Sequence, residues 1–132
     1  MDQNDTLLLL PGLLCDARLW RDEIEVFSAS RRVVVASLTG HDSIAAMAEA
    51  ALAGLNGPLA VAGLSMGGYV ALEIARRAPA QVKRLALFDT SARPDTPEQT
   101  ERRRGLLALS QSGRFRGVTP RLLPMLVHPS RL

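Results

Sequence analysis

Cysteine is almost absent from this sequence, since Cys15 is the single one among 132 residues. A lone cysteine excludes an internal disulfide, so we expect a reducing compartment. Long apolar runs are absent too, because none approaches the roughly 18 residues of a membrane span. No basic segment with a cleavage site opens the chain. The sequence therefore predicts a soluble, cytoplasmic protein with no membrane partner.

Aromatic residues are also scarce, at 4% of the chain. The charge is unevenly distributed: residues 93–132 carry eight basic and three acidic side chains, whereas residues 1–92 carry eight basic and ten acidic ones. A basic segment can bind nucleic acid, and aromatic residues would then stack on the bases. Phe115 is the one aromatic residue of the basic part, so nucleic-acid bases find no stacking platform there. A solvated helix face is favoured, and an anion or nucleic-acid binder is the weakest alternative. No spacing of Cys, His, Asp and Glu suggests a metal, and we expect no cofactor.

What the sequence does contain is a series of short apolar runs bounded by turn residues. Such runs are too short for helices and predict strands buried on both faces of a parallel sheet. They lie at about 6–10, 32–37, 59–63 and 84–88. Segments of helical periodicity separate them, which gives a βα unit repeated three times and then a last strand. The prediction is an α/β protein with three αβα layers and a four-stranded parallel sheet.

After Asp89 the sequence changes character. Residues 90–97 contain two prolines and several polar residues, which indicates a linker. Thr96 and Gln99 have the spacing of a capping box, so a helix is predicted from there to about Ser110.

The end of the sequence predicts no further strand. An apolar segment at residues 115–127 is broken by Pro120 and Pro124. We therefore divide the chain into an α/β core, residues 1–92, and a helical region, residues 93–132.

The third apolar run leads into Gly63-Leu64-Ser65-Met66-Gly67, a Gly-x-Ser-x-Gly pattern. A serine hydroxyl is a poor nucleophile until it is exposed beside a base. A tight strand-to-helix turn provides that exposure, and its cramped backbone requires residues without side chains at Gly63 and Gly67. Ser65 is therefore predicted to be a nucleophile. The alternative is a glycine-rich turn in which Ser65 only caps the helix.

Two backbone amides are candidates for an oxyanion hole. The amide of Met66 directly follows the nucleophile, and the amide of Leu13 lies in the glycine loop after the first strand. The carboxyl ends of parallel strands meet at one edge of the sheet, which brings such loops together. Backbone donors suit this task because they are fixed before charge develops on the substrate carbonyl. The alternative for Pro11-Gly12 is an ordinary βα turn.

These segments together resemble the α/β-hydrolase fold superfamily, in particular its small esterase, lactonase and carboxylesterase-like branch. The resemblance spans the whole chain and is carried by residues 9–13, 39–43, 63–68 and 87–92. It departs at Pro11, where a histidine usually precedes the glycine. The resemblance implies a sheet in which the second strand lies outside the first, followed by the third and the fourth. It also implies that residues 93–132 are the start of a helical cap.

The resemblance further implies a catalytic acid and a histidine, in the chain order Ser, Asp, His. Asp89 is a candidate acid because it leaves the strand beside the elbow, and its alternative is to brace that loop. His128 is the candidate base if the cap folds over Ser65. His41 precedes the serine and matches a loop histidine that usually braces structure. Cys15 is predicted to be a small buried hydrophobe.

Family members continue past the cap into strands that carry the acid and the histidine. We therefore expect the N-terminal part of a longer serine hydrolase that acts on small-molecule esters, lactones or thioesters. With its histidine missing, such a chain would be nearly inactive by itself. The alternative is a truncated, non-catalytic module that binds a ligand or a protein partner. Its last strand would leave an unpaired sheet edge through which copies could associate.

Overall fold

The computed structural model describes residues 5–117, 120 and 123–132, and it confirms the predicted α/β class. The strands are β1 (Thr6–Leu10), β2 (Val33–Val35), β3 (Leu59–Leu64) and β4 (Val82–Phe88). The α-helices are α1 (Arg21–Phe27), α2 (Ile44–Leu52), α3 (Met66–Arg77), α4 (Pro97–Gln111) and α5 (Leu123–Leu126). Two 3₁₀ turns, Ala17–Trp20 and Pro129–Arg131, complete the regular structure of these ranges. Within them no helix is long and apolar enough to cross a membrane.

The sheet is parallel throughout and has the order β2-β1-β3-β4, as the family resemblance implied. The bounds of β1 match the prediction, and β3 ends one residue later than predicted. β2 is shorter than the predicted residues 32–37, because only Leu7, Leu8 and Leu9 pair with it. β4 starts two residues earlier than predicted. The additional residues belong to the strand because Val82 pairs with Leu59 at the start of β3, where the Leu59 N–H donates to the Gln81 carbonyl at 2.8 Å.

Two apolar clusters cover opposite faces of the sheet, because successive side chains of a strand point to opposite sides. Leu8 and Leu10 are fully buried in the larger cluster, which includes residues of α2 and α3. Leu9 lies in the smaller cluster, where it packs with Trp20 and with Ile24 of α1. The three αβα layers predicted from the sequence are therefore present.

The segment before β2 begins with a side-chain cap at Asp16. The Asp16 carboxylate accepts a hydrogen bond from the Arg18 backbone N–H at 2.9 Å. It also binds the Arg18 guanidinium, and these hydrogen bonds lower the pKa of the Asp16 carboxyl below its usual value. The helical part of this segment consists of the 3₁₀ turn Ala17–Trp20 followed by α1.

The chain divides into two compact units, Met1–Ala92 and Arg93–Leu132. In the second unit the predicted capping box is confirmed. The Gln99 N–H donates to Thr96 Oγ1 at 3.2 Å, and the Gln99 side chain accepts from the Thr96 N–H at 2.9 Å. Part of the apolar segment predicted at residues 115–127 lies outside the described residues.

A buried carboxylate ties the amino end of the sheet together. Asp5 immediately precedes β1, and its side chain is only 3% exposed. Its carboxylate accepts hydrogen bonds from Arg31, at 2.8 Å, and from Arg84 in β4. Because Arg31 is also largely buried, removal of Asp5 would leave a desolvated cation without its counter-ion.

We predict that Asp5→Ala lowers the free energy of unfolding by about 3 kcal/mol, because one partner of a buried ion pair is lost. Urea unfolding followed by the fluorescence of Trp20, the single tryptophan, reports on the first unit. The matched control is Asp22→Ala, since Asp22 is paired with Arg21 on the exposed surface. That variant should lose no more than about 1 kcal/mol. Equal losses in the two variants would contradict the prediction.

Candidate active site

Strained backbone is concentrated beyond the carboxyl ends of the strands. Three non-glycine residues have positive φ in the described part of the chain: Leu14 at 62°, Ser65 at 53° and Asp89 at 44°. They follow β1, β3 and β4, respectively, and these strands are neighbours in the sheet. Residues other than glycine rarely adopt this region, and such strain clusters at functional sites.

Ser65 occupies the turn between β3 and α3, with φ 53° and ψ −114°. It stands at the N-cap position of α3, yet its side chain makes no capping hydrogen bond. The alternative in which Ser65 serves only as a helix cap is therefore wrong. The residue is partly exposed at the edge where the strands end.

The glycines on either side of this serine are required by close backbone contacts. A Cβ atom on Gly63 would lie 2.6 Å from the carbonyl carbon of Gly67. A Cβ atom on Gly67 would lie 2.6 Å from the carbonyl carbon of Leu10, at the end of β1. Both distances are far below van der Waals contact. The turn therefore requires glycine at positions 63 and 67. These glycines were predicted from the sequence for the same steric reason.

The loop after β1 lies beside Ser65. A Cβ atom on Gly12 would be 3.6 Å from the Cβ atom of Ser65, so the neighbouring Leu13 amide belongs to the same part of the molecule. Met66 is the first residue of α3, so its N–H has no hydrogen-bond acceptor inside the helix. Neither the Leu13 amide nor the Met66 amide donates a hydrogen bond to another described residue.

Residues 88–90, at the carboxyl end of β4, form the exit of β4, and two of them are hydrogen-bonded to the backbone of Ser65. The Ser65 N–H donates to the Phe88 carbonyl at 2.9 Å, and the Ser65 carbonyl accepts from Thr90 Oγ1 at 2.8 Å. Thr90 lies in the segment that the sequence suggested is a linker. The signal that could have found it is a hydroxyl residue two positions after the strand that pairs with the elbow strand.

The remaining candidate residues from the sequence are Asp89, His41 and His128. Asp89 is exposed, and within the described first unit no hydrogen bond joins it to Ser65 or to a histidine. His41 is exposed on the loop after β2. His128 belongs to the second unit, where its Nδ1 lies 2.9 Å from Ser130 Oγ and accepts the Ser130 N–H at 3.3 Å.

The site offers no group of metal ligands. Among the described residues, no three His, Cys, Asp or Glu side chains lie together in a way that could hold a metal ion. Cys15 is only partly buried, in contrast to the prediction, because it sits on the surface loop after β1. Its thiol lies 3.6 Å from the Leu13 carbonyl.

Comparison with known proteins bears on this arrangement. The sequence model of the thioesterase domain family matches residues 12–126. The chain is 36% identical over 92 residues to the pimeloyl-[acyl-carrier protein] methyl ester esterase of Aromatoleum aromaticum. That match covers 64% of this chain and 37% of the relative.

Solved structures share the fold. A thermophilic esterase from Thermogutta terrifontis superposes with a TM-score of 0.70 at 32% identity, covering 83% of this chain and 46% of the esterase. A hydrolase from Pseudomonas aeruginosa gives a TM-score of 0.69 at 23% identity, covering 98% of this chain and 56% of the hydrolase, and shows the fold alone. The chain thus spans between 37% and 56% of the length of these relatives.

We predict that Gly67→Ala lowers the free energy of unfolding by about 1–3 kcal/mol, because its methyl group has no room against β1. The control is Gly40→Ala, where an added Cβ atom meets nothing within 4 Å. The control should change stability by less than about 0.5 kcal/mol. Urea unfolding followed by Trp20 fluorescence compares the two variants. Equal stability of the wild-type protein and Gly67→Ala would contradict the prediction.

Proposed function

Because this chain belongs to the thioesterase domain family and has the α/β-hydrolase fold, we propose that it carries the nucleophile of a serine hydrolase. The proposed substrates are carboxylic esters, lactones or thioesters. The observation that carries the proposal is the position of Ser65, partly exposed and without a side-chain capping bond, on a strained strand-to-helix turn. The single cysteine supports a cytoplasmic location as part of the same proposal.

In the proposed reaction, Ser65 Oγ attacks the substrate carbonyl carbon and gives its proton to a general base. The carbonyl π electrons move to the oxygen, where the Leu13 and Met66 amides stabilise the negative charge. The tetrahedral intermediate collapses, the bond to the alkoxide or thiolate breaks, and the base returns the proton to that leaving group. A water molecule, deprotonated by the same base, then hydrolyses the acyl-serine and restores Ser65.

Two observations support an apolar acyl group. Leu13 and Leu14, in the loop beside Ser65, have exposed fractions of 56% and 59%. The relative from Aromatoleum aromaticum acts, by its name, on a methyl ester of a pimeloyl group. We therefore propose small to medium apolar acyl groups as substrates. Residues 93–132 are proposed to begin a cap that adds further specificity.

The general base is the open part of the proposed mechanism. Asp89 and His128 are the candidate acid and base within this chain. We favour a histidine outside these 132 residues, which the greater length of the relatives supports. Without its base, a serine hydrolase loses about 10⁶-fold in rate but keeps roughly 10³–10⁴-fold over water through its oxyanion hole and binding. The chain alone would then be a very slow hydrolase.

A fluorophosphonate probe tests the nucleophile. We expect Ser65 to be labelled in the product of the whole reading frame, and labelled at least about 10³-fold more slowly in the 132-residue chain if the base lies elsewhere. Peptide mass spectrometry identifies the modified residue. Ser30→Ala is the control and should react like the wild-type protein. Equal labelling of Ser65→Ala would refute the proposed nucleophile.

A second candidate function follows from the edge of the sheet. Among the described residues β4 pairs only with β3, and Leu85, Leu87 and Phe88 are 40–46% exposed. An unpaired apolar edge strand pairs readily with another chain. On this alternative, the chain is a non-catalytic module that binds a partner, or a second copy of itself, through β4.

Light scattering tests this alternative. It predicts dimers whose fraction rises with concentration in the 132-residue chain, and monomers after Leu87→Lys, because a charge on an edge strand blocks pairing. Leu107→Lys on α4 is the control, since Leu107 is 62% exposed and lies outside the sheet. A monodisperse monomer at every concentration would exclude association through β4.

A further inference from the structure

We propose that Thr90 is a positioning residue, whose hydroxyl holds the Ser65 carbonyl and thereby keeps the nucleophile in its strained conformation. The inference rests on the proposed role of Ser65. Thr90 lies outside the Gly-x-Ser-x-Gly pattern from which that role was predicted, and no role was predicted for its side chain.

The carbonyl of Ser65 accepts hydrogen bonds from a side chain and from a backbone amide. One comes from Thr90 Oγ1 at 2.8 Å, and the other comes from the Gly68 N–H at 2.9 Å. The Gly68 bond is local to the first turn of α3. The Thr90 bond joins this turn to the neighbouring strand, so Thr90 fixes the peptide relative to the sheet.

A second bond from the same strand exit completes a clamp. The Ser65 N–H donates to the Phe88 carbonyl at 2.9 Å. The two polar backbone groups of Ser65 are therefore both held by residues at the end of β4, with Asp89 between them. A rotation of φ or ψ at Ser65 would break one of these bonds. Strained dihedral angles persist where the surrounding structure fixes them in this way.

The side chain of Thr90 is itself held in place by its packing. A Cβ atom on Gly68 would lie 2.6 Å from both Cβ and Cγ2 of Thr90, so α3 and the β4 exit approach closely only because residue 68 is glycine. Thr90 thus contributes a methyl group that packs and a hydroxyl that donates. A serine keeps the donor without the methyl group, and a valine keeps the packing without the donor.

The clamp matters for the proposed reaction because the Ser65 carbonyl belongs to the peptide unit that carries the Met66 N–H. A peptide unit is planar, so fixing its carbonyl oxygen fixes the direction of its N–H. Thr90 would therefore orient an oxyanion donor as well as the nucleophile. Its loss should slow the chemical step while leaving substrate binding unchanged.

Hydrogen exchange measured by NMR tests the clamp directly. In Thr90→Val we expect the Ser65 amide to exchange about three- to tenfold faster, the range that corresponds to one hydrogen bond. Thr90→Ser should restore protection to within about twofold. Thr6→Val is the matched control, because it makes the same chemical change at the opposite end of the sheet. Exchange at other β3 amides should be unchanged in all variants.

Kinetics provide the second measurement, on the product of the whole reading frame. Thr90→Val should lower kcat and the rate of fluorophosphonate labelling by about three- to tenfold, with KM unchanged. Unchanged exchange and kcat in Thr90→Val would overturn the proposal. A three- to tenfold loss of Ser65 protection in Thr90→Ser relative to the wild-type protein would also overturn it, and this outcome can be measured even if the valine variant does not fold. Absence of wild-type labelling, with the exchange difference intact, would refute Ser65 as nucleophile and leave the clamp.

Discussion

The candidate site depends on one close contact, in which the first turn of α3 lies against the end of β1. Gly67 has no side chain where the Leu10 carbonyl carbon would meet its Cβ atom at 2.6 Å. Because the helix can come this near, the loop after β1 stands next to Ser65. The partly exposed Ser65 and the backbone amides of Leu13 and Met66 lie in the same part of the molecule because the helix and the strand approach this closely. A larger residue at position 67 would separate the nucleophile from half of the proposed oxyanion hole.

Local sequence patterns predicted most of the fold. Short apolar runs located the four strands, and the Thr96–Gln99 spacing located the start of α4, because these signals act within a few residues. The glycines of the elbow were predictable since a strand-to-helix turn has one sterically acceptable solution. The hydrogen bond from Thr90 to Ser65 was not, because it joins residues 25 positions apart and depends on the pairing of β3 with β4. The positive φ of Leu14 and Asp89 also arises from the assembled edge rather than from residue type.

The proposed chemistry is unevenly distributed over the chain. The proposed nucleophile and both proposed amide donors lie within two loops of the first unit, and the exit of β4 in the same unit holds the backbone of Ser65. The proton acceptor has no such local origin, since triad members come from separate strands and meet only in the folded protein. In the proposed mechanism, residues 1–92 therefore present Ser65, and its reactivity is set by a base supplied separately.

The two ends of the sheet are stabilised differently, and this difference determines where substitutions can be tolerated. At the amino end, the buried carboxylate of Asp5 forms ion pairs with Arg31 and with the half-exposed Arg84. At the carboxyl end, the loops carry strained backbone and exposed leucines. Stability held at one end tolerates destabilising substitutions at the other. If the proposed function holds, the loops after β1 and β4 can thus diverge toward new acyl groups while the amino end keeps the sheet folded, so that specificity and scaffold evolve separately.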